Sequence, residues 1–338
     1  MISPRKERTR MRALICRGWG PVENLELADV PAPVPGPDQL LLNVAASSVN
    51  FADSLMVAGK YQTKPPFPFS PGLEAAGTVA AVGQNVTKFK PGDRVMAILA
   101  HGGFAEQALA EPGEVYPLFP GMDFAEGAIF PVAYISADVA LRWQGRVEAG
   151  ETVIVLGAAG GSGLAAVEIA KAMGARVIAC ASSDERLAIC REHGADHVIN
   201  YAVNSLKEGV MAVTNGQGAD VCFDPVGGDL FDEALSSLDW GGRYVHFGFV
   251  GGVPKIPANR LLVKHRTAAG SSLRYFRWRK PDLLARSVKA LESYWLDGRL
   301  KPIVTNRLPL ERGIEAIQLL TERKAAGKVV VEVQKLGA

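Results

Sequence analysis

Apolar and polar residues alternate in short runs through the first third of the chain. Residues 12–16, 40–46, 76–82 and 94–99 carry the period-two pattern of strands with one buried face. Proline and glycine punctuate them, in Pro65-Pro66, Pro71-Gly72, Pro91-Gly92 and the run from Pro31 to Pro37. Many short strands separated by such turns predict a partly open β-barrel. From 124 to 143 the period becomes that of a helix. Beyond it come strand 152–156, a helix to 173, strand 176–180, a helix after Tyr201, strand 220–224, helix 232–238 and strand 242–248. That alternation predicts a doubly wound parallel sheet. Past Gly270 follow a helix over 282–297, a strand, a helix over 310–322 and a closing strand at 328–333. The fold class is α/β.

The turn after the first strand of that sheet reads Gly157-Ala158-Ala159-Gly160-Gly161-Ser162-Gly163. A strand, a glycine-rich turn, a helix and a parallel strand, in that order, make a dinucleotide-binding unit. A pyrophosphate must come within van der Waals reach of the backbone, so the turn can carry almost no side chain. The helix that starts there offers unpaired N–H groups and the positive end of its dipole. Gly160 and Gly163 suit the close approach; Gly161 and Ser162 offer N–H donors. Ala158 stands at the first glycine of the usual G-x-G-x-x-G, and the glycines instead stand three apart, at 157, 160 and 163. The alternative is a glycine-rich turn with no ligand, and the β-branched strand and apolar helix on either side weigh against it.

An NAD site places Asp or Glu at the end of the second strand, on the ribose 2′-hydroxyl. Here that end reads Cys180-Ala181-Ser182-Ser183-Asp184-Glu185-Arg186, and the carboxylates come late, in the first turn of the next helix. Two serines and an arginine suit a 2′-phosphate, which favours NADPH. The same serines suit the cap of that helix, with Arg186 in solvent, and both roles are compatible.

A length of 338 residues suits two domains, each with its own core. Net charge is +2, from 37 basic and 35 acidic residues, so nothing asks for nucleic acid or an anionic membrane. No apolar run is expected to reach the length of a membrane span, and the N-terminus lacks a signal-peptide core. Residues 1–10, rich in arginine, are expected to be a disordered lead-in. Cys16, Cys180, Cys190 and Cys222 form no C-x-x-C pair. They read as reduced structural thiols of a cytoplasmic protein, neither a disulfide framework nor a zinc cage.

Further motifs stand in a fixed order. They are Ser48-Val49-Asn50-Phe51-Ala52-Asp53, Pro71-Gly72-Leu73-Glu74-Ala75-Ala76-Gly77 and Lys90-Pro91-Gly92-Asp93-Arg94-Val95, then, after the glycine-rich turn, Val198-Ile199-Asn200-Tyr201, Asp224-Pro225-Val226-Gly227 and Gly327-Lys328-Val329-Val330. With them the chain, from Met11 onward, resembles the medium-chain dehydrogenase/reductase family, in its NADPH:quinone oxidoreductase (zeta-crystallin-like) branch. The resemblance implies a GroES-like catalytic domain from 11–130 and 272–338. A Rossmann NADPH-binding domain, 131–271, is inserted between them, with ligand in the cleft between domains. It also implies a homodimer joined through edge strands of the nucleotide-binding sheets.

The family's zinc alcohol dehydrogenases hold their catalytic metal with a Cys and a His-Glu pair. The matching positions here are Asn50 and Leu73, ahead of Glu74, and neither Asn nor Leu is a ligand zinc prefers. The loop that would carry a structural zinc reads Ala100-His101-Gly102-Gly103-Phe104-Ala105, with no cysteine, and His101 reads as a loop histidine. The implied enzyme is therefore metal-free. Without a Lewis acid to polarise a carbonyl, the acceptors that fit are a quinone or the C=C bond of an enone, alkenal or enoyl-CoA. Their conjugated carbonyl takes up charge as hydride arrives directly. A non-catalytic NADPH-binding redox sensor is the alternative from another class.

Residue by residue, the resemblance puts Asn50 and Asp53 at the nicotinamide half of the cofactor; a structural hydrogen bond within the loop is the alternative for Asp53. Ser136 falls where relatives have Thr near the nicotinamide, and Tyr134 replaces their Gly. Gly160, Gly161 and Ser162 hold the pyrophosphate, while Ser182, Ser183, Arg186 and Tyr201 surround the 2′-phosphate. Phe247, Gly248, Phe249 and Val250 meet the carboxamide through their backbone. Arg323 returns to the cofactor, or is a solvated helix-end cation. Asn50 and Tyr61 are the candidates for orienting the acceptor, with a plain packing role as the alternative for Tyr61. The cluster Arg274-Tyr275-Phe276-Arg277-Trp278-Arg279-Lys280 reads as a solvated loop, or as a receiver for a phosphate-bearing acceptor or a partner subunit.

Overall fold

A computed structural model describes residues 10–322 and 324–336. The expectations for residues 1–9 and for Arg323 lie outside the described residues; Arg10, assigned to the lead-in, already belongs to the first strand. The chain divides into two compact units, one of the residues up to Val132 together with those from Ile303, the other Ala133–Pro302.

Strands build the first unit. β1 (Arg10–Ile15) and β2 (Glu26–Pro31) pair antiparallel. Next come β3 (Leu40–Ser48), the short helix α1 (Phe51–Val57), β4 (Glu74–Val82), β5 (Arg94–Ile98), β6 (Gln107–Ala110), β7 (Val115–Pro117) and α2 (Phe124–Ile129). β3, β4, β5 and β7 lie side by side, antiparallel. Leu40, Leu42 and Val44 of β3 sit at the centre of the core with Met56, Phe69, Val95 and Phe104.

From α2 the chain stays helical to Gln144, through two π-helical stretches, Phe130–Ile135 and Ala140–Gln144, around α3 (Ser136–Val139). This corrects one expectation. Phe124–Gln144 is 21 residues long with a mean hydropathy of 1.4 in its most apolar window, enough by length and composition to cross a membrane. That window is 83% buried within the protein, as befits a core helix. The buried Asp138 is paired one turn on with Arg142, at 2.7 Å.

The second unit is a doubly wound sheet. β8 (Thr152–Leu156), α4 (Gly161–Ala172), β9 (Arg176–Ala181), α5 (Asp184–Glu192), β10 (His197–Asn200) and α6 (Leu206–Val213) form one half. β11 (Ala219–Asp224), α7 (Leu230–Ser236), β12 (Leu238–His246), α8 (Ala258–Val263) and β13 (Thr267–Gly270) form the other. All six strands are parallel, in the order β10-β9-β8-β11-β12-β13. Helices cover both faces, so β8 is buried at every residue, as a parallel strand must be.

Two helices follow, α9 (Leu273–Arg279) and α10 (Pro281–Leu296). The sequence reads 274–280 as a solvated loop; it is a helix, pinned by buried Phe276, with the Arg274 guanidinium 4.1 Å above the Trp278 ring one turn on. The second unit also extends past 271, where the sequence ends the nucleotide-binding domain. The reason is packing. Trp143 Nε1 donates to Ser287 Oγ at 2.9 Å, Lys301 N–H to Glu168 Oε2 at 3.0 Å, and Arg299 Nη1 to the Ala172 carbonyl at 3.1 Å. The chain then returns to the first unit as β14 (Val304–Pro309), α11 (Gly313–Thr321) and β15 (Lys328–Glu332). β15 joins the end of β3 antiparallel, through Val330↔Ser48 and Val331↔Ser47.

Candidate functional site

At the end of β8 the chain turns at Gly157, whose φ of 55° lies in the left-handed region. Gly160 caps α4, and its N–H donates to the Gly157 carbonyl at 2.9 Å. A methyl on Gly163 would stand 2.3 Å from that carbonyl oxygen, so α4 can lie this close to β8 only with glycine there. One on Gly157 would meet Val226 at 2.9 Å, which places the turn against the loop after β11. β8 and β11 are the neighbours between which the strand order reverses, the crevice where doubly wound sheets bind ligands. Gly161, Ser162 and Gly163 open a 12-residue helix and aim N–H groups without intrahelical partners at this crevice. A bare cradle edged with donors fits a pyrophosphate.

Four predicted residues meet at the end of β9. Ser182 is exposed, and Ser183 Oγ accepts from the Arg186 N–H at 3.4 Å as the cap of α5. Tyr201 N–H donates to the Ala181 carbonyl at 3.1 Å, which brings its half-buried ring to the same strand end. The nearest acid, Asp184, sits in the first turn of α5, where Asn200 Nδ2 donates to its Oδ1 at 3.0 Å.

The other side of the crevice is organised by a residue that sequence reasoning saw only as part of a motif. Asp224, fully buried at the end of β11, accepts from the N–H groups of Val226 and Gly227 at 2.7 and 2.8 Å and from the Tyr244 hydroxyl. Its own carbonyl accepts from the N–H groups of Phe247 and Gly248, at 2.8 and 3.1 Å. Those two amides are therefore spent inside the protein, which takes the Phe247 and Gly248 N–H groups out of the backbone donors expected to meet a carboxamide. Phe247 packs on Phe223, while Phe249 and Val250 are exposed. Beside them His246 Nδ1 lies 3.9 Å from Asp224 Oδ2, and neither it nor the buried Ser271 Oγ has a hydrogen-bond partner among the described residues. Sequence signalled neither residue. Ser136 is buried at the start of α3, and Tyr134 donates to the buried Glu168 at 2.8 Å, which His193 also engages. The bulkier residue is thus a strut between the core helix and α4.

In the first unit the residues around α1 form a buried polar set. Asn50 Nδ2 donates to Glu74 Oε1 at 2.8 Å, and Asn50 Oδ1 accepts from Lys328 Nζ at 2.7 Å. Lys328 also pairs with Glu74 at 3.1 Å, and Glu74 Oε2 accepts from the Val132 N–H at 2.7 Å. Asp53 accepts from the Asn50 N–H at 2.7 Å, the hydrogen bond within the loop that was its alternative role. Burial pushes the Asp53 carboxyl up to about 7; Glu74 adds to this, while the Asn50 amide and Lys328 oppose it. Lys328 is the member that sequence reasoning missed. It stands in the Gly327-Lys328-Val329-Val330 motif, but its pairing with Glu74 spans 254 residues. Tyr61 is half-buried against the core, its N–H on the Leu55 carbonyl at 3.1 Å.

Among the described residues no three His, Cys, Asp or Glu side chains cluster as metal ligands. The four cysteines are free and buried. Burial raises all their pKa values, that of Cys190 to about 12.

Two family models match the chain, one described as alcohol dehydrogenase GroES-like domain over residues 36–140, the other as zinc-binding dehydrogenase over 161–288. A quinone oxidoreductase-like protein 2 homolog from Nematostella vectensis is 37% identical over 304 residues, covering 89% of this chain and 83% of that protein. The Homo sapiens quinone oxidoreductase is 33% identical, over 95% of this chain and 97% of its own. A solved structure, the quinone oxidoreductase of Thermus thermophilus, described also in its complex with NADPH, matches with a TM-score of 0.83 at 34% identity, over 96% of this chain and all of that one. With a GroES-like strand unit, a Rossmann sheet and these relatives, the chain belongs to the medium-chain dehydrogenase/reductase family, among its quinone oxidoreductases, and is an oxidoreductase.

Proposed function

We propose that this protein uses NADPH to reduce a quinone by direct hydride transfer, without zinc. The observation that carries the proposal is the buried set at the head of α1. Asn50 and Leu73 stand where a zinc enzyme has its Cys and His, and Glu74 is already paired with the Lys328 ammonium at 3.1 Å. A buried carboxylate needs a counter-charge, and here the chain supplies its own. A divalent cation beside Glu74 would face that ammonium at contact distance.

Bound NADPH would supply the hydride, and the protein's part is position and charge. The pyrophosphate fits the N–H groups at the head of α4, and the 2′-phosphate fits Ser182, Ser183, Arg186 and Tyr201. Lys328 and Glu74 orient the Asn50 amide, its carbonyl toward the ammonium and its NH2 toward the carboxylate. One amide hydrogen goes to Glu74, which leaves the other to orient an acceptor carbonyl. A quinone stores the incoming charge in its own conjugated system, so an orienting hydrogen bond replaces a Lewis acid.

A homodimer is part of this proposal. β13 is an edge strand, and near it Trp240, Leu262 and Val263 are 69%, 83% and 68% exposed. The Gly241 N–H donates to the Lys264 carbonyl at 2.9 Å, which gathers them into one patch. An unpaired strand edge beside exposed apolar side chains is the surface a second copy would cover.

Calorimetric titration with NADPH and NADH, followed by initial rates with naphthoquinone, an alkenal and crotonyl-CoA, tests the proposal. Tighter binding of NADPH and turnover with the quinone are expected. Turnover confined to the alkenal or the thioester would make it a C=C reductase; tight NADPH binding with no turnover would make it a sensor.

A further inference from the structure

In the second unit, α6, the end of α7 and α8 close around a cavity of about 330 Å³ that shares no residue with the nucleotide cradle. That volume is at the lower end of small-molecule sites. Its charged lining is all of one sign: Lys207 from α6, Arg260 from α8, and Lys264 and Arg266 from the turn that follows. No carboxylate lines it. Met211, one turn on from Lys207, and Val263 give it an apolar wall.

Arg266 makes this more than a basic surface. It is 9% exposed, and its hydrogen bonds all go to neutral carbonyls. Nε donates to Asp239 O at 3.3 Å, and Nη2 to Ser236 O at 3.3 Å and to Leu238 O. Those bonds cap the end of α7 and use two of the three guanidinium nitrogens. Nη1 has no partner, and no carboxylate pairs with the side chain, among the described residues. Burial pushes the Arg266 pKa down, with the Asp239 charge opposing. A guanidinium stays charged all the same, and a buried charge without an opposite one is costly. The carbonyl dipoles offset part of that cost; an anion in the cavity would offset the rest.

The surroundings favour such an anion. His265, between Lys264 and Arg266, has a φ of 53°, seldom adopted outside glycine, and both its neighbours line the cavity. The acids nearby are already engaged. Asp232 pairs with Arg260 at 2.8 Å, and Glu233 accepts from the Ser205 hydroxyl and the Lys207 N–H at 2.8 and 3.1 Å. The Lys207 and Lys264 ammonium groups have no hydrogen-bond or ion-pair partner among the described residues.

We propose that this cavity is a second binding site, for a small phosphate ester. Lys207, Lys264 and Arg266 meet the phosphate, and the organic part lies on Met211 and Val263. Lysine and arginine both recognise phosphate, arginine through its planar fork. Of the apolar residues offered above as a dimer surface, only Val263 lines the cavity, so the site stands at the edge of that surface.

Calorimetric titration with phenyl phosphate, in the presence of saturating NADPH to fill the cradle, tests this. One phenyl phosphate per chain should bind, with inorganic phosphate and benzoate each weaker by about tenfold. Lys207→Gln and Lys264→Gln should each weaken phenyl phosphate about tenfold, the worth of one charged hydrogen bond, and leave the affinity for NADPH as in wild type. Phenyl phosphate should also raise the Tm of wild type and not that of the double variant. Unchanged affinity in both variants would put the anion elsewhere, and benzoate binding as well as phenyl phosphate would deny a phosphate site. No saturable heat would leave the cavity without a ligand. Each of these three results overturns the proposal, and none bears on quinone reduction.

Discussion

Asp53 shows how burial turns one carboxyl into a pH-dependent term. Its carboxyl is held near 7 in the fold against 3.8 for the free side chain, chiefly by burial. Between about pH 4 and 7 the folded protein therefore keeps a proton that the unfolded chain has lost, so stability falls as pH rises through that window and is flat above it. Three pKa units correspond to on the order of 4 kcal/mol. Asp53→Asn keeps the bond from the Asn50 N–H and removes the titration. Thermal melts should show the variant gaining on wild type from pH 5 to pH 8; parallel melting curves across that range would mean the carboxyl titrates normally. On the proposed function, Arg186→Ala should raise the Kd for NADPH about tenfold or more and leave that for NADH unchanged, because it would remove a charged hydrogen bond to the 2′-phosphate. Equal weakening of both nucleotides would assign Arg186 to the helix alone.

At the scale of elements, what was legible followed the length and purity of each pattern. The β8 strand, Thr152–Leu156, is five apolar or β-branched residues ahead of a glycine turn, and its limits are as the sequence places them. The capped seven-residue α1 was not visible, because Asn50 and Asp53 read as loop polar residues until their hydrogen bond is seen. α9 was misread for a related reason. Three arginines in seven residues look solvated, yet Phe276 buries the helix on one side and Trp278 takes the Arg274 charge on the other. The glycine-rich turn at the head of α4 was legible because closely spaced glycines after a β-branched strand state its geometry. The Asn50, Glu74 and Lys328 set was only half legible, since its partners come together through the pairing of β15 with β3. Gly163→Ala puts a methyl 2.3 Å from the Gly157 carbonyl oxygen, so α4 must move off β8. Calorimetry should find NADPH binding weakened at least tenfold, with a lowered Tm; wild-type affinity would show that the turn does not grip the pyrophosphate.

For the whole molecule, charge and surface decide association. A net charge of +2 offers little repulsion between copies, and the β13 edge with Trp240, Leu262 and Val263 offers apolar area to bury. Sedimentation velocity should find a dimer of the 36.0 kDa chain, and Leu262→Glu should shift it toward monomer while NADPH binding persists. A wild-type monomer at micromolar concentration would refute the patch as an interface.

In the proposed function, positive charge from Lys328, paired with Glu74 at 3.1 Å, takes the place of a metal in the buried site beside the acceptor. The rate of NADPH oxidation by naphthoquinone in protein dialysed against a strong chelator, with zinc measured in the same sample, tests this. Full activity at no more than trace zinc is the expected result. Activity that disappears on chelation and returns with added zinc would contradict it.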